Sequence, residues 1–191
     1  NDLIAFLRIP SVSAQSQHRD DVARAARWLE EYLRRIGMNH ARTLPTAGHP
    51  VVYAEWIDDP EKPTALLYGH YDVQPADPLE LWETPPFEPD TREGRLYARG
   101  ASDDKGQVMV HLAALGAWLA AEGRLPINVR VLIEGEEEIG SPSLEPLLRA
   151  HPELLRADFI VISDTTMFAE GLPTLCTGLR GIAVAEAHVT T

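Results

Sequence analysis

Apolar and polar positions follow two rhythms along this chain. Between 20 and 36 the apolar residues Val22, Ala25, Ala26, Leu29, Leu33 and Ile36 recur every three or four positions, the spacing of one helical face. Asp20 or Asp21 stands where a cap belongs, Gly37 ends the run, and Trp28 and Tyr32 widen the packed side. The same rhythm predicts a helix over 105–122, with Val108, Leu112, Leu115 and Leu119 inward and Met109 and Trp118 beside them. Shorter helices are predicted over 2–8, broken by Pro10, and over 141–150. The second rhythm consists of short apolar or alternating runs bounded by glycine, proline and charge. It predicts strands over 38–44, 51–57, 64–68, 95–98, 127–134 and 159–163. Strands interleaved with helices indicate an α/β fold. The near-continuous apolar runs at 64–68, 127–134 and 159–163 read as buried strands.

The residues just past these strands carry the chemistry. The 64–68 run stops at Gly69 and then presents His70 and Asp72 on one side, because side chains alternate in extended backbone. One ring nitrogen of His70 can ligate a metal while the carboxylate fixes its tautomer. The 95–98 run leads to Asp103-Asp104 at a helix start, where one acid can cap and the other is free to ligate. The 127–134 run ends in Glu134-Gly135-Glu136-Glu137-Glu138, a concentration of like charge that a cation would relieve. The 159–163 run ends in Asp164. Ligands of open α/β sheets gather beyond the carboxyl ends of the strands. If these strands share one sheet, His70, Asp103, Glu137 or Glu138, and Asp164 converge, with more ligands than one tetrahedral ion uses and enough for two. His18, His40, His49 and His111 are expected outside this cluster, His111 as an ordinary helix residue. The proline-rich 73–89 stretch is long enough for a functional loop.

Composition narrows the function classes. Seventeen basic and 29 acidic side chains give a formal charge of −12, which argues against nucleic acid or an anionic membrane as partner. No run approaches membrane-spanning length. The single Cys176 offers no internal disulfide and fits a reducing, cytoplasmic setting. With 191 residues, the chain has room for one sizeable core.

Gly69-His70-Tyr71-Asp72-Val73-Gln74-Pro75, Arg99-Gly100-Ala101-Ser102-Asp103-Asp104-Lys105-Gly106 and Glu134 through Ser141 closely resemble the M20 metallopeptidase family, most nearly its carnosinase-like dipeptidase branch. Residues 160–164 and 178–181 resemble that branch too. The resemblance implies a three-layer α/β/α catalytic domain of the zinc-peptidase type around a mixed sheet. It implies two divalent ions, Zn2+ first, with Mn2+ or Co2+ as alternatives. His70 and Asp164 would bind one ion, Glu138 the other, and Asp103 both. Glu137 would be the general base, Asp72 the partner of His70, and the Asp103–Asp104 peptide would be cis. An Asp at 164 points to dipeptides; an N-acyl-amino-acid deacylase or carboxypeptidase is the alternative, and an acidic divalent-cation-binding module the non-enzymatic one. By the same resemblance, 1–178 is the first part of the catalytic domain, and 179–191 opens a lid domain with a strand over 182–190. That lid would join two subunits in a homodimer. A histidine for the second ion and the lid's substrate-binding residues would lie beyond Thr191, so the chain alone is expected to turn over little substrate.

Overall fold

The structure, a computed structural model, describes residues 1–190. Its centre is a five-stranded sheet built from β1 (Asn39–Leu44), β2 (Val51–Trp56), β3 (Thr64–His70), β6 (Asn128–Glu134) and β7 (Phe159–Ile162), in the order β1-β2-β6-β3-β7. β1–β2 and β2–β6 are antiparallel, whereas β6–β3 and β3–β7 are parallel, so the sheet is mixed. One face carries α1 (Asp2–Leu7), α2 (Arg19–Arg35) and α3 (Lys105–Glu122). The other carries α4 (Leu144–Ala150) and the 3-10 turn Pro152–Leu155. These are the three layers that the resemblance implies.

The α2 stripe behaves as its spacing demands. Val22, Ala25, Ala26, Leu29 and Leu33 are fully buried against Val52, Ala54, Val129 and Val131, while Ile36 is half-buried at the helix end. Each buried leucine contributes about 1.5–3 kcal/mol of transfer free energy. Phe6, Trp28 and Tyr32 stack in succession, with centroids 4.7 and 5.3 Å apart, and tie α1 to α2. Neither Asp20 nor Asp21 caps the helix. A 3-10 turn at Ser16–His18 moves its start upstream to Arg19, so both acids fall in the first turn, where the helix dipole favours them. There Asp21 pairs with His18 and Arg24, each at 2.8 Å. α3 ends on Gly123 in the left-handed conformation (φ +67°), its N–H returning to the Leu119 carbonyl. Trp118 is exposed rather than packed beside the inner face of α3.

Three further expectations change. The 95–98 run is not in the central sheet. Arg95–Tyr97 (β5) pairs with Asp90–Arg92 (β4) in a separate hairpin, turned by Glu93 and Gly94, both at positive φ. β7 is not buried: it is the sheet's edge, and Phe159, Ile160 and Ile162 are exposed, because apolar sequence alone does not reveal which strand has a neighbour on only one side. Residues 173–190 form no helix or strand, so the 182–190 strand is absent, as no other described segment pairs with its backbone. Thr191 lies outside the described residues.

Candidate metal centre

β3 runs two residues further than expected and delivers His70 at its carboxyl end, opposite Glu134 of β6. The ring is fully buried. Its Nδ1 lies 3.1 Å from the backbone carbonyl of Asp72, which can only accept, so Nδ1 carries a proton and Nε2 faces the site. Nε2 has no hydrogen-bond partner. It lies 3.2 Å from Asp103 Oδ1, 3.3 Å from Asp164 Oδ2 and 3.9 Å from Glu137 Oε2. A buried, orphaned imidazole nitrogen ringed by carboxylates fits a divalent cation.

Each acid reaches this point by a different route. Asp103 sits on the turn before α3, joined to Asp104 by a cis peptide. Glu137 and Glu138 occupy the 3-10 turn Glu137–Ile139 that follows β6. Asp164 lies two residues past β7. Two sets of candidate ligand atoms, from His70, Asp103 and Glu138 and from His70, Glu137 and Asp164, each lie mutually within 4.8 Å. All four expected ligands and the expected base are thus brought together. Asp103 arrives from a helix-start turn rather than from a sheet strand, and in geometry alone Glu137 stands beside Asp164 as a ligand would.

Asp104, nominally at the cap position of α3, makes no side-chain cap. Its Oδ2 accepts the His70 backbone N–H at 3.0 Å. The close approach of α3 to β3 depends on Gly69, where a Cβ would fall 2.6 Å from Asp104 Oδ2 and 2.7 Å from Val108 Cγ2.

Asp72 is fully buried and collects donors from three directions. Its Oδ1 accepts the Glu137 N–H at 3.2 Å and lies 3.4 Å from His70 Nδ1. Its Oδ2 accepts the Glu138 N–H at 3.1 Å and the Ser13 hydroxyl at 2.6 Å. One carboxylate thereby sets the His70 ring against the backbone of both glutamates.

The glutamate run divides by role. Glu134 is buried and accepts from the Tyr68 hydroxyl at 2.5 Å and the Ser141 hydroxyl at 2.8 Å. Glu136 is buried and accepts the N–H of His49 at 2.7 Å and of Ser143 at 3.0 Å. Neither needs a cation, because protein donors satisfy their charge. Only Glu137 and Glu138 turn to the centre. Gln74 donates its backbone N–H and its side-chain amide to Glu138, at 3.1 and 2.7 Å.

These neighbours perturb protonation. Burial works against a charged His70, but the carboxylates of Asp72, Asp104 and Glu137 outweigh it and raise the ring to about 10. Burial lifts Asp104 to about 7, against the pull of His70. Burial also raises Glu137, opposed by His70 and reinforced by Asp164, Asp72 and Asp103. A carboxylate of raised basicity suits proton transfer near neutrality.

Sequence reasoning gave no part to Ser13, or to Gln74 although it lies in a quoted motif. Neither carries a signal of its own, since both act through tertiary contacts. His111 is no ligand; its Nε2 lies 2.5 Å from the hydroxyl of Ser163, the neighbour of Asp164.

The chain is similar in sequence and fold to several known proteins. The chain is 40% identical over 184 residues to the cysteinylglycine-S-conjugate dipeptidase of Corynebacterium striatum, covering 95% of this chain and 40% of that one. The crystal structure of human carnosine dipeptidase 1 superposes with a TM-score of 0.79 at 36% identity, over 86% of this chain and 38% of that one. The M20 family metallo-carboxypeptidase Sso-CP2 of Sulfolobus solfataricus gives 0.76 at 44% identity, over 83% and 35%. The chain therefore spans about two fifths of the length of the relatives it matches. Residues 66–187 match the profile of Peptidase family M20/M25/M40 and take in all four candidate ligands, so the chain belongs to that family.

Proposed function

We propose that this chain is the metal-binding part of a dipeptidase, and that His70, Asp103, Glu138 and Asp164 contribute to a centre for two divalent cations. The observation that carries the reading is the buried Nε2 of His70, which has no hydrogen-bond partner and faces Asp103 and Asp164 at 3.2 and 3.3 Å. A donor set of one imidazole and several carboxylates suits Zn2+ and also admits Mn2+ or Co2+. In such a centre the cations make a water acidic enough to supply hydroxide near neutral pH. Glu137, its basicity raised by burial, takes the proton of the attacking water and returns it to the leaving amine. Asp72 keeps the imidazole tautomer fixed and holds Glu137 and Glu138 through their N–H groups.

Dipeptides are the preferred substrates in this reading because the C. striatum and human relatives are dipeptidases by name and because position 164 is Asp. The Sulfolobus carboxypeptidase supports a second reading, release of a C-terminal residue from a longer peptide. Residues 179–191 open a lid domain in this reading, and the full-length protein is a cytoplasmic homodimer joined through it. Glu137→Gln in the full-length protein is the test. Dipeptide turnover should fall by about 10²–10⁴-fold while bound metal stays at the wild-type level. Loss of metal would instead make Glu137 a ligand, and undiminished turnover would remove it from the mechanism.

A further inference from the structure

We propose that Ser13, far from the metal-site residues in sequence, is a positioning residue of the metal centre, acting through Asp72. This rests on the proposed function, in which His70 and its neighbouring acids bind a cation. Asp72 has no access to water, so protein donors must fill its lone pairs. The Ser13 hydroxyl provides the shortest of these contacts, 2.6 Å to Oδ2, and is itself almost buried at 7% exposure. The other donors to the carboxylate, the N–H groups of Glu137 and Glu138, belong to the turn that Asp72 has to position. Ser13 alone comes from outside that assembly. It thus fixes the rotation of the carboxylate independently of the groups the carboxylate controls.

The segment that carries Ser13 is built against the site. The Ser11 hydroxyl donates to the Tyr71 carbonyl at 2.6 Å, and the Val73 N–H returns to the Ser11 carbonyl at 3.0 Å. On its other side, the Tyr71 N–H donates to the Glu134 carbonyl at 2.8 Å. Residues 71–73 are therefore clamped between the end of β6 and the 11–13 segment. His49 Nε2 closes the bracket at 3.3 Å from the Ser13 carbonyl. Removing the hydroxyl leaves Oδ2 with the Glu138 N–H alone and lets the carboxylate plane swing, loosening the His70 ring and the glutamate turn together.

The experiment measures Zn2+ affinity of the full-length protein by competition with a chromophoric chelator, and the visible spectrum of its Co2+ form. Ser13→Ala should bind Zn2+ about 10–100-fold more weakly than wild type, the range found for partners that orient metal ligands. Its Co2+ bands should shift, with metal-free circular dichroism unchanged. Ser13→Thr, which keeps the hydroxyl, should recover most of the affinity. Zn2+ affinity of Ser13→Ala within about threefold of wild type overturns the proposal, because the expected loss starts at about tenfold. So does loss of the metal-free fold in Ser13→Ala, which would make the hydroxyl a prop of the fold. A wild-type chain that binds Zn2+ no better than His70→Ala would remove the metal centre itself, a result separable from failure at Ser13.

Discussion

Replacing Gly69 with alanine tests how closely the fold and the centre are coupled. The new methyl would lie 2.6 Å from Asp104 Oδ2 and 2.7 Å from Val108 Cγ2. Ordinary contacts need about 3.5 Å, so the two neighbours must recede by about 0.9 and 0.8 Å. Neither is free to do so: Asp104 is buried and holds the His70 N–H at 3.0 Å, and Val108 is buried at the base of α3. Overpacking of this kind costs about 1–3 kcal/mol. Weakening a hydrogen bond to a charged group adds about 1.5–3 kcal/mol. The sum, about 2.5–6 kcal/mol, is large against a total stability of about 5–15 kcal/mol. With a urea dependence of about 2 kcal/mol per molar, the unfolding midpoint of the metal-free chain should drop by about 1.3–3 M. Asp103 rides on the same turn as Asp104, so Zn2+ affinity should fall as well. Gly94→Ala is the control: nothing lies within 4 Å of the added methyl, and its positive φ of 76° carries a left-handed penalty of only about 1–2 kcal/mol. A Gly69→Ala chain no less stable than Gly94→Ala would refute the packing argument.

Stability should respond to pH through two opposed groups. Burial lowers Lys105 to about 7, so from there to 10.5 the unfolded chain holds more protons and stability rises with pH, by up to about 5 kcal/mol. His70, raised from 6.5 to about 10, contributes fully below pH 6.5 and loses that contribution as pH climbs through 10. In Lys105→Met only the His70 slope remains, so stability of the metal-free variant should decline from about pH 7 to about pH 10, where wild type changes little. Urea titrations across that range check this, and parallel profiles for the two proteins would contradict it. Glu136→Ala strands the N–H groups of His49 and Ser143 and should cost about 2–5 kcal/mol by thermal denaturation. A loss below about 1 kcal/mol would mean that water replaces the carboxylate.

The sequence makes local features legible and leaves pairing hidden. The α2 stripe and the β3 and β6 runs are visible because periodicity records burial directly, as Leu29, Leu33 and Val131 illustrate. The convergence of His70, Glu137, Glu138 and Asp164 comes from strand ends sharing a sheet. Asp103 reaches the same place for another reason, since its preceding strand belongs to the small hairpin. The exposure of Ile160 depends on strand order, which no local pattern encodes. In the sequence Asp104 reads as a cap and Glu136 as one of a run of repelling acids, but each is claimed by a backbone N–H distant in sequence. Ser13 is silent for the same reason.

The position of β6 between β2 and β3 has a consequence for how the polypeptide is made. Both flanking strands leave the ribosome before residue 128, and each then has an open edge with no partner to close it. The nascent chain must wait for its last interior piece, and pairings this distant in sequence form slowly and leave strand edges open to aggregation meanwhile. Glu137 and Glu138 come directly behind that piece and Asp164 follows only after β7, so the candidate ligands are all present only once every strand of the sheet has been made.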